Sequence, residues 1–172
     1  MKRLLPQYPK IAVYFLAEGE TEEAILRHIK ANYNRFTGIS VNIDCAHGGS
    51  PGDMVDRAVR NNIYSKRAVF LDTDQTWDQE VLDKALANHI ELIPAEPCGE
   101  GFLLSLLITS FNPTGRTSKD CKKEFEEKYL DKTEKLDFRN YGKILPLKKM
   151  EILRESNKIL DRIICIVTKI DE

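Results

Sequence analysis

The sequence predicts an α/β fold in which a mostly parallel, Rossmann-like sheet is flanked by helices and followed by a C-terminal helical appendage. Three observations point there. Apolar runs of strand length alternate with helix-patterned segments over the first hundred residues, the order that builds a parallel sheet with helices on its faces. The run Lys10 to Ala17 is nearly continuously apolar, as expected for a strand covered on both sides. After Asn112 the apolar runs give way to dense mixed charge. A chain of 172 residues with 42% hydrophobic content fills one sizeable core and is cramped for two. The expected division is therefore a core over 1–111 and an appendage over 112–172.

The elements follow in order. Lys10 to Ala17 belongs at the centre of the sheet. Thr21 is placed to cap the next helix, with Glu22 and Glu23 in a first turn that favours negative charge. Ile25, Leu26, Ile29 and Tyr33 then recur at helical spacing. Ile39, Val41 and Ile43 alternate with polar neighbours, which predicts an edge strand over Ser40 to Cys45. Gly48-Gly49-Ser50-Pro51-Gly52 breaks the chain before a helix from Asp53 to Asn62. Arg67 to Leu71 reads as a strand, Val81 to Asn88 as a helix, and Ile90 to Pro94 as a strand. The run Phe102 to Thr109 is apolar almost all round and predicts a buried helix. Leu147, Met150, Leu153, Leu160, Ile164 and Val167 fit one long final helix packing back on the core.

Bulk properties narrow the function. Lys and Arg total 26 against 27 Asp and Glu, a formal charge of -1 with a pI near 6.3, so broad attraction to nucleic acid is not indicated and a local basic stripe is the remaining route. Cys45, Cys98, Cys121 and Cys165 form no C-x-x-C pair, which argues against a zinc knuckle or dithiol motif and for free thiols in a reducing compartment. Prolines and a tyrosine interrupt Met1 to Tyr8 before a signal-peptide core develops, and no segment approaches the ~20 apolar residues of a membrane span. A cytoplasmic protein with no membrane partner is expected.

The chemistry concentrates in two acidic segments, Ala17-Glu18-Gly19-Glu20-Thr21-Glu22 and Leu71-Asp72-Thr73-Asp74. Each directly follows a buried strand, and open α/β sheets bind ligands at the carboxyl ends of their strands. If the two strands are neighbours, Glu18, Asp72 and Asp74 converge on one edge. Two carboxylates about 4 Å apart repel by on the order of 4 kcal/mol at an effective dielectric of 20, a large fraction of a stability of about 5–15 kcal/mol. Either one is protonated or a cation joins them. Oxygen ligands without clustered His or Cys favour Mg2+ or Mn2+, which also bind substrate phosphate. Glu22 and Glu100 are candidates for further ligands. The plainer reading makes Asp72-x-Asp74 a solvated turn and Glu18-Gly19 an ordinary connection.

On these residues the chain resembles the Toprim fold of topoisomerases, primases and OLD-family nucleases. The extended Glu18-Gly19-Glu20-Thr21-Glu22 start, the Gly48-Gly49-Ser50-Pro51 loop and Glu96-Pro97-Cys98-Gly99-Glu100-Gly101-Phe102-Leu103-Leu104 are similar to the RloB-like branch, which accompanies bacterial restriction and anti-phage loci. Gly99 stands where that branch has an aromatic residue and Phe102 where it has Trp. The likeness covers about residues 8 to 110. It implies a metal-dependent nuclease, with Glu18, Asp72 and Asp74 as metal ligands and catalytic groups and Glu22 and Glu100 as supporting ligands. It also implies nucleic acid as substrate, and an ATPase or restriction-system protein as partner. The alternatives are a non-catalytic module that binds nucleic acid or a partner, and a nucleotide phosphotransferase.

The remaining motifs carry less. The Gly48 to Gly52 loop could present backbone N–H groups to a phosphate, but it lacks the Lys-Ser/Thr ending of a P-loop. Cations from Arg116 to Lys143 interleave with acids, a pattern explained by ion pairs on a solvated helix. Lys143 is the candidate there for neutralising charge on a scissile phosphate. Trp77 either packs beside the acidic pair or stacks on a base. His28, His47 and His89 are dispersed and receive no chemical role.

Overall fold

The structure, a computed structural model, describes residues 11–168. Lys10 and the segment Met1 to Tyr8 lie outside the described residues. Strands β1 (Ile11–Ala17), β2 (Ile39–Cys45), β3 (Lys66–Asp72) and β4 (Ile90–Ala95) form one sheet in the order β2-β1-β3-β4. All its pairings are parallel. Helices α1 (Glu20–Tyr33), α2 (Pro51–Arg60) and α3 (Gln79–Ala87) make the crossovers, and α4 (Gly99–Leu107) follows β4. Then come α5 (Ser118–Lys128), two 3₁₀ segments (Glu134–Leu136 and Phe138–Lys143), α6 (Leu147–Arg154) and α7 (Lys158–Thr168). The fold is α/β, with a parallel sheet between two layers of helices.

Alternation along the strands assigns the layers. Val13, Phe15 and Ala17 of β1, with Phe70 and Ile93, face a large cluster that takes in Ile25 and Ile29 of α1, Leu103 of α4, Phe125 of α5 and Ile163 of α7. Tyr14, Leu16, Val69 and Leu71 face the opposite way, toward Met54 and Val55 of α2 and Ala85 of α3. The strands are therefore covered on both faces, which is why they read as unbroken apolar runs. The segment 112–168 contributes Cys121, Tyr141, Leu145, Met150 and Leu160 to the first cluster, so its described residues share the core of the sheet.

The edge strand β2 is defended. Ala46 N–H donates to Ala17 C=O, so by alternation Ile39, Val41, Ile43 and Cys45 turn their backbone groups outward. Lys30 Nζ donates to Val41 C=O at 2.7 Å and Asn34 Nδ2 to Ile39 C=O at 3.2 Å, while Thr37 Oγ1 and Asp44 Oδ1 accept from Ile39 and Cys45 N–H. Polar side chains thus occupy much of a ladder that another strand would otherwise extend.

Two local expectations are corrected. Gly19, not Thr21, caps α1, with Glu22 reaching back to its N–H at 3.1 Å. The predicted long final helix is two helices, because Glu155 to Asn157 interrupt it and Asn157 Oδ1 caps the second through Leu160 N–H at 2.9 Å. A side chain that satisfies a free N–H favours starting a helix anew over continuing one.

The entry to α4 is close-packed. A Cβ on Gly101 would stand 2.4 Å from Pro97 Cδ and 2.5 Å from Glu96 C=O. Gly101→Ala is expected to destabilise the protein by about 1–3 kcal/mol, read in urea titration as a lower midpoint with unchanged slope.

Candidate functional site

The strand order puts the two acidic segments side by side. β1 pairs with β3 up to Ala17 opposite Phe70, and Glu18 N–H donates to Phe70 C=O at 3.0 Å. Glu18 and Asp72 therefore leave the sheet as neighbours at its carboxyl edge. There Glu18 Oε2 accepts the Asp72 N–H at 2.8 Å. Trp77 lies beneath, donating its indole N–H to Asp72 C=O at 3.1 Å and packing with the α2–α3 cluster. Ser50 caps α2, and the loop before it closes over the same edge, with Gly48 N–H on Glu18 C=O at 2.9 Å.

At this edge a cavity of about 400 Å³ is lined by Glu18, Gly48 and Asp72, with Glu22, Glu100, Lys122, Lys132 and Lys135. The acids differ in how free they are. Both Glu22 oxygens accept backbone N–H groups, from Gly19 at 3.1 Å and Gly99 at 3.0 Å. A Cβ on Gly99 would lie 2.1 Å from Glu22 Oε1, so the missing side chain there makes room for this carboxylate. Glu100 is 1% exposed. Its Oε1 accepts from Thr21 at 3.1 Å and from Lys135 Nζ at 2.5 Å, and Lys135 also donates to Glu126 at 2.7 Å. Asp72 Oδ1 and Glu100 Oε2 are buried with no hydrogen-bond partner.

Proton affinities follow from these surroundings. Burial, and then the charges of Glu22, Glu18 and Asp74, push the Asp72 carboxyl up to about 9, with Lys122 opposing them. Burial also raises Glu18, partly offset by its bond to the Asp72 N–H, and raises Glu22. Glu100 goes the other way. Burial lifts it, and the Lys135 ammonium more than cancels the lift. Lys122 is held above its ordinary value: burial works against its charge, and Glu100, Cys98, Asp72 and Glu22 outweigh burial.

Of the residues selected from sequence, Glu18, Glu22, Asp72 and Glu100 come together. Asp74 lies outside the cavity lining, accepting from Ser118 Oγ at 2.6 Å beside a neighbouring groove, and its charge still reaches Glu18 and Asp72. Lys143, expected to neutralise charge on a scissile phosphate, does not line the cavity; it is exposed and 3.4 Å from Glu134. Lys122 on α5, Lys132, and Lys135 on the first 3₁₀ segment do line it. Sequence reading singled out none of the three because nothing in local spacing separates them from the other cations of a mixed-charge segment. His28 Nε2 donates to Leu145 C=O at 2.8 Å in the interior, and it has no part in the cavity.

Among the described residues no three His, Cys, Asp or Glu side chains stand ready as a metal cage. Magnesium-type ions rarely need one, since they retain waters and take one or two carboxylates plus substrate oxygens. The residues present fit that mode. Asp72 offers a buried oxygen without a partner beside the Glu18 carboxylate. Glu22 and Glu100 are already engaged by backbone N–H groups and by Lys135. Comparison with protein-family models, curated proteins and solved structures returns no match.

Without metal, Asp72 carries a folding cost that depends on pH. Its carboxyl titrates near 3.8 when unfolded and near 9 when folded, so between those values the folded chain retains a proton that the unfolded chain has lost. The Asp72 contribution to stability is full below about pH 4 and declines as pH rises toward 9. Asp72→Asn in EDTA should therefore flatten the pH dependence of thermal unfolding. It should also stabilise the protein at pH 8 by about 1–3 kcal/mol, with a smaller gain at pH 5.

Proposed function

We propose that this chain is a Toprim-type, RloB-like nuclease that hydrolyses phosphodiester bonds with magnesium or manganese, acting in prokaryotic cytoplasmic defence against foreign nucleic acid. One observation carries the chemistry: Glu18 and Asp72, from strands far apart in sequence, share one edge through a 2.8 Å bond, and a buried Asp72 oxygen there has no partner. Among the described residues no helix is long and apolar enough to cross a membrane. The compartment and the defence role come from the family resemblance alone.

Asp72, with Glu18 beside it, would hold the ion. When bound, the ion polarises a phosphoryl oxygen and makes a water more acidic. Glu18 accepts the proton of the attacking water; burial holds its carboxyl above the usual range, which suits a general base. The water oxygen forms a bond to phosphorus as the ester P–O bond breaks, and the leaving oxygen takes a proton from solvent. Lys122 offsets the negative charge that gathers on the phosphate. The two backbone bonds of Glu22 tie the start of α1 to the start of α4. Asp74, outside the cavity lining, contributes charge, and Glu100, neutralised by Lys135, supports the wall.

A second reading is favoured by Lys122, Lys132 and Lys135 in the same cavity, which give it groups that attract phosphate directly. In that reading the protein binds nucleic acid without cutting it. Labelled DNA and RNA, single- and double-stranded, incubated with Mn2+ separate the two. Cleavage that falls at least ~100-fold in Asp72→Asn or Glu18→Gln supports the nuclease. Binding with no cleavage in the wild type overturns it. Independently, Mg2+ or Mn2+ should raise the melting temperature of the wild type and not of Asp72→Asn, as a ligand specific to the folded state does.

A further inference from the structure

A second cavity, of about 390 Å³, is lined by Arg27, Lys30, Ala31, Asn34, Arg35 and Phe138. No carboxylate lines it. Among the described residues the acid paired with these cations is Glu23, 2.6 Å from Arg27, and Arg35 has no ion pair there. Burial, and then the neighbouring Arg27, lower the proton affinity of Lys30, so like charges are held close. Phe36, the residue after Arg35, is 98% exposed. Cations and the half-buried Phe138 ring thus share one cavity with no carboxylate in its lining, and an exposed ring follows Arg35 directly in the chain.

This surface has a fixed relation to the acidic cleft, because both are built on the same two pieces of chain. α1 supplies Thr21 and Glu22 to the cleft and Arg27 and Lys30 to the basic cavity. The segment after α5 supplies Lys132 and Lys135 to the first and Phe138 to the second. Eight residues of helix, about 12 Å at 1.5 Å per residue, separate Glu22 from Lys30.

We propose that the basic cavity is a second contact for the nucleic acid, holding phosphates and one unstacked base of a single strand whose scissile bond lies in the acidic cleft. The proposal rests on the nuclease reading. A single strand fits better than a duplex, because Phe36 and Phe138 can take a base face only where bases are unstacked, and base–aromatic stacking beside cations is how such strands are bound. Arg27 and Arg35 contact phosphates, and Lys30 remains engaged with the β2 edge.

Fluorescence anisotropy of labelled oligothymidine in EDTA tests it, since nothing is cut. Phe36→Ala, an exposed change, is expected to weaken binding roughly 5- to 100-fold. Arg27→Ala with Arg35→Ala is expected to lower the slope of log affinity against log salt by about 1.4, the share of two single-strand phosphate contacts. Unchanged affinity and slope in these variants overturn the proposal, and so does equal binding to a duplex or equal competition by polyglutamate. The two readings fail separately. Cleavage that persists with binding indifferent to the variants sinks this inference alone, whereas variant-sensitive binding by a protein that never cuts sinks the nuclease and, with it, the scissile bond in the cleft, and leaves the basic cavity as a single-strand contact only.

Discussion

Parallel pairing of β1 with β3 is the constraint on which the site depends. Strands that run side by side in one direction must release their chains at the same edge, so Glu18, just past β1, and Asp72, the last residue of β3, become neighbours whatever the connecting segments do. The backbone then locks the arrangement, because the Glu18 carboxylate takes the first N–H that the end of β3 cannot place in the sheet. Strand order here does chemical work: with β2 between β1 and β3, the same two acids would stand a strand further apart.

Gathering carboxylates in a cleft is electrostatically unfavourable, and the protein distributes the cost unevenly. Glu22 is stabilised by two backbone N–H groups and Glu100 by Lys135. Asp72 has neither, which leaves it protonated at neutral pH in the absence of a cation. Glu22, with both oxygens on backbone N–H groups, ties α1 to α4, whereas Asp72 and Glu100 each keep one buried oxygen without a partner, and Glu100 has the Lys135 ammonium beside it.

The charged segment after Asn112 completes the cleft. α5 and the second 3₁₀ segment anchor in the core through Cys121, Phe125 and Tyr141, and Tyr141 donates to Lys135 C=O in the first, so Lys122 and Lys135 stand at the acidic edge. The helices after the sheet are thereby both a structural layer and the source of the only cations at the site among the described residues. Phe138 extends the same segment toward the basic face of α1, so one stretch of chain borders both charged surfaces.

The layered fold was legible because burial on both faces leaves a strong local signature: unbroken apolar runs for β1 and β3, and alternation for the edge strand β2. Glu18 and Asp72 were legible as acids placed immediately after such runs. Less was legible where the outcome turned on one side chain's partner. Gly19 rather than Thr21 caps α1 because Glu22 reaches back to it, and Asn157 divides the final helix by capping its second half. Lys143 and Lys135 look alike in a run of alternating charge; only packing around Tyr141, whose hydroxyl donates to Lys135 C=O, turns one inward and leaves the other in solvent. Local sequence by itself determined the elements and which acids follow the strands, since periodicity and chain breaks act over a few residues. Tertiary structure alone decided which acids meet, which are neutralised and by which lysine, since those depend on contacts between segments up to a hundred residues apart.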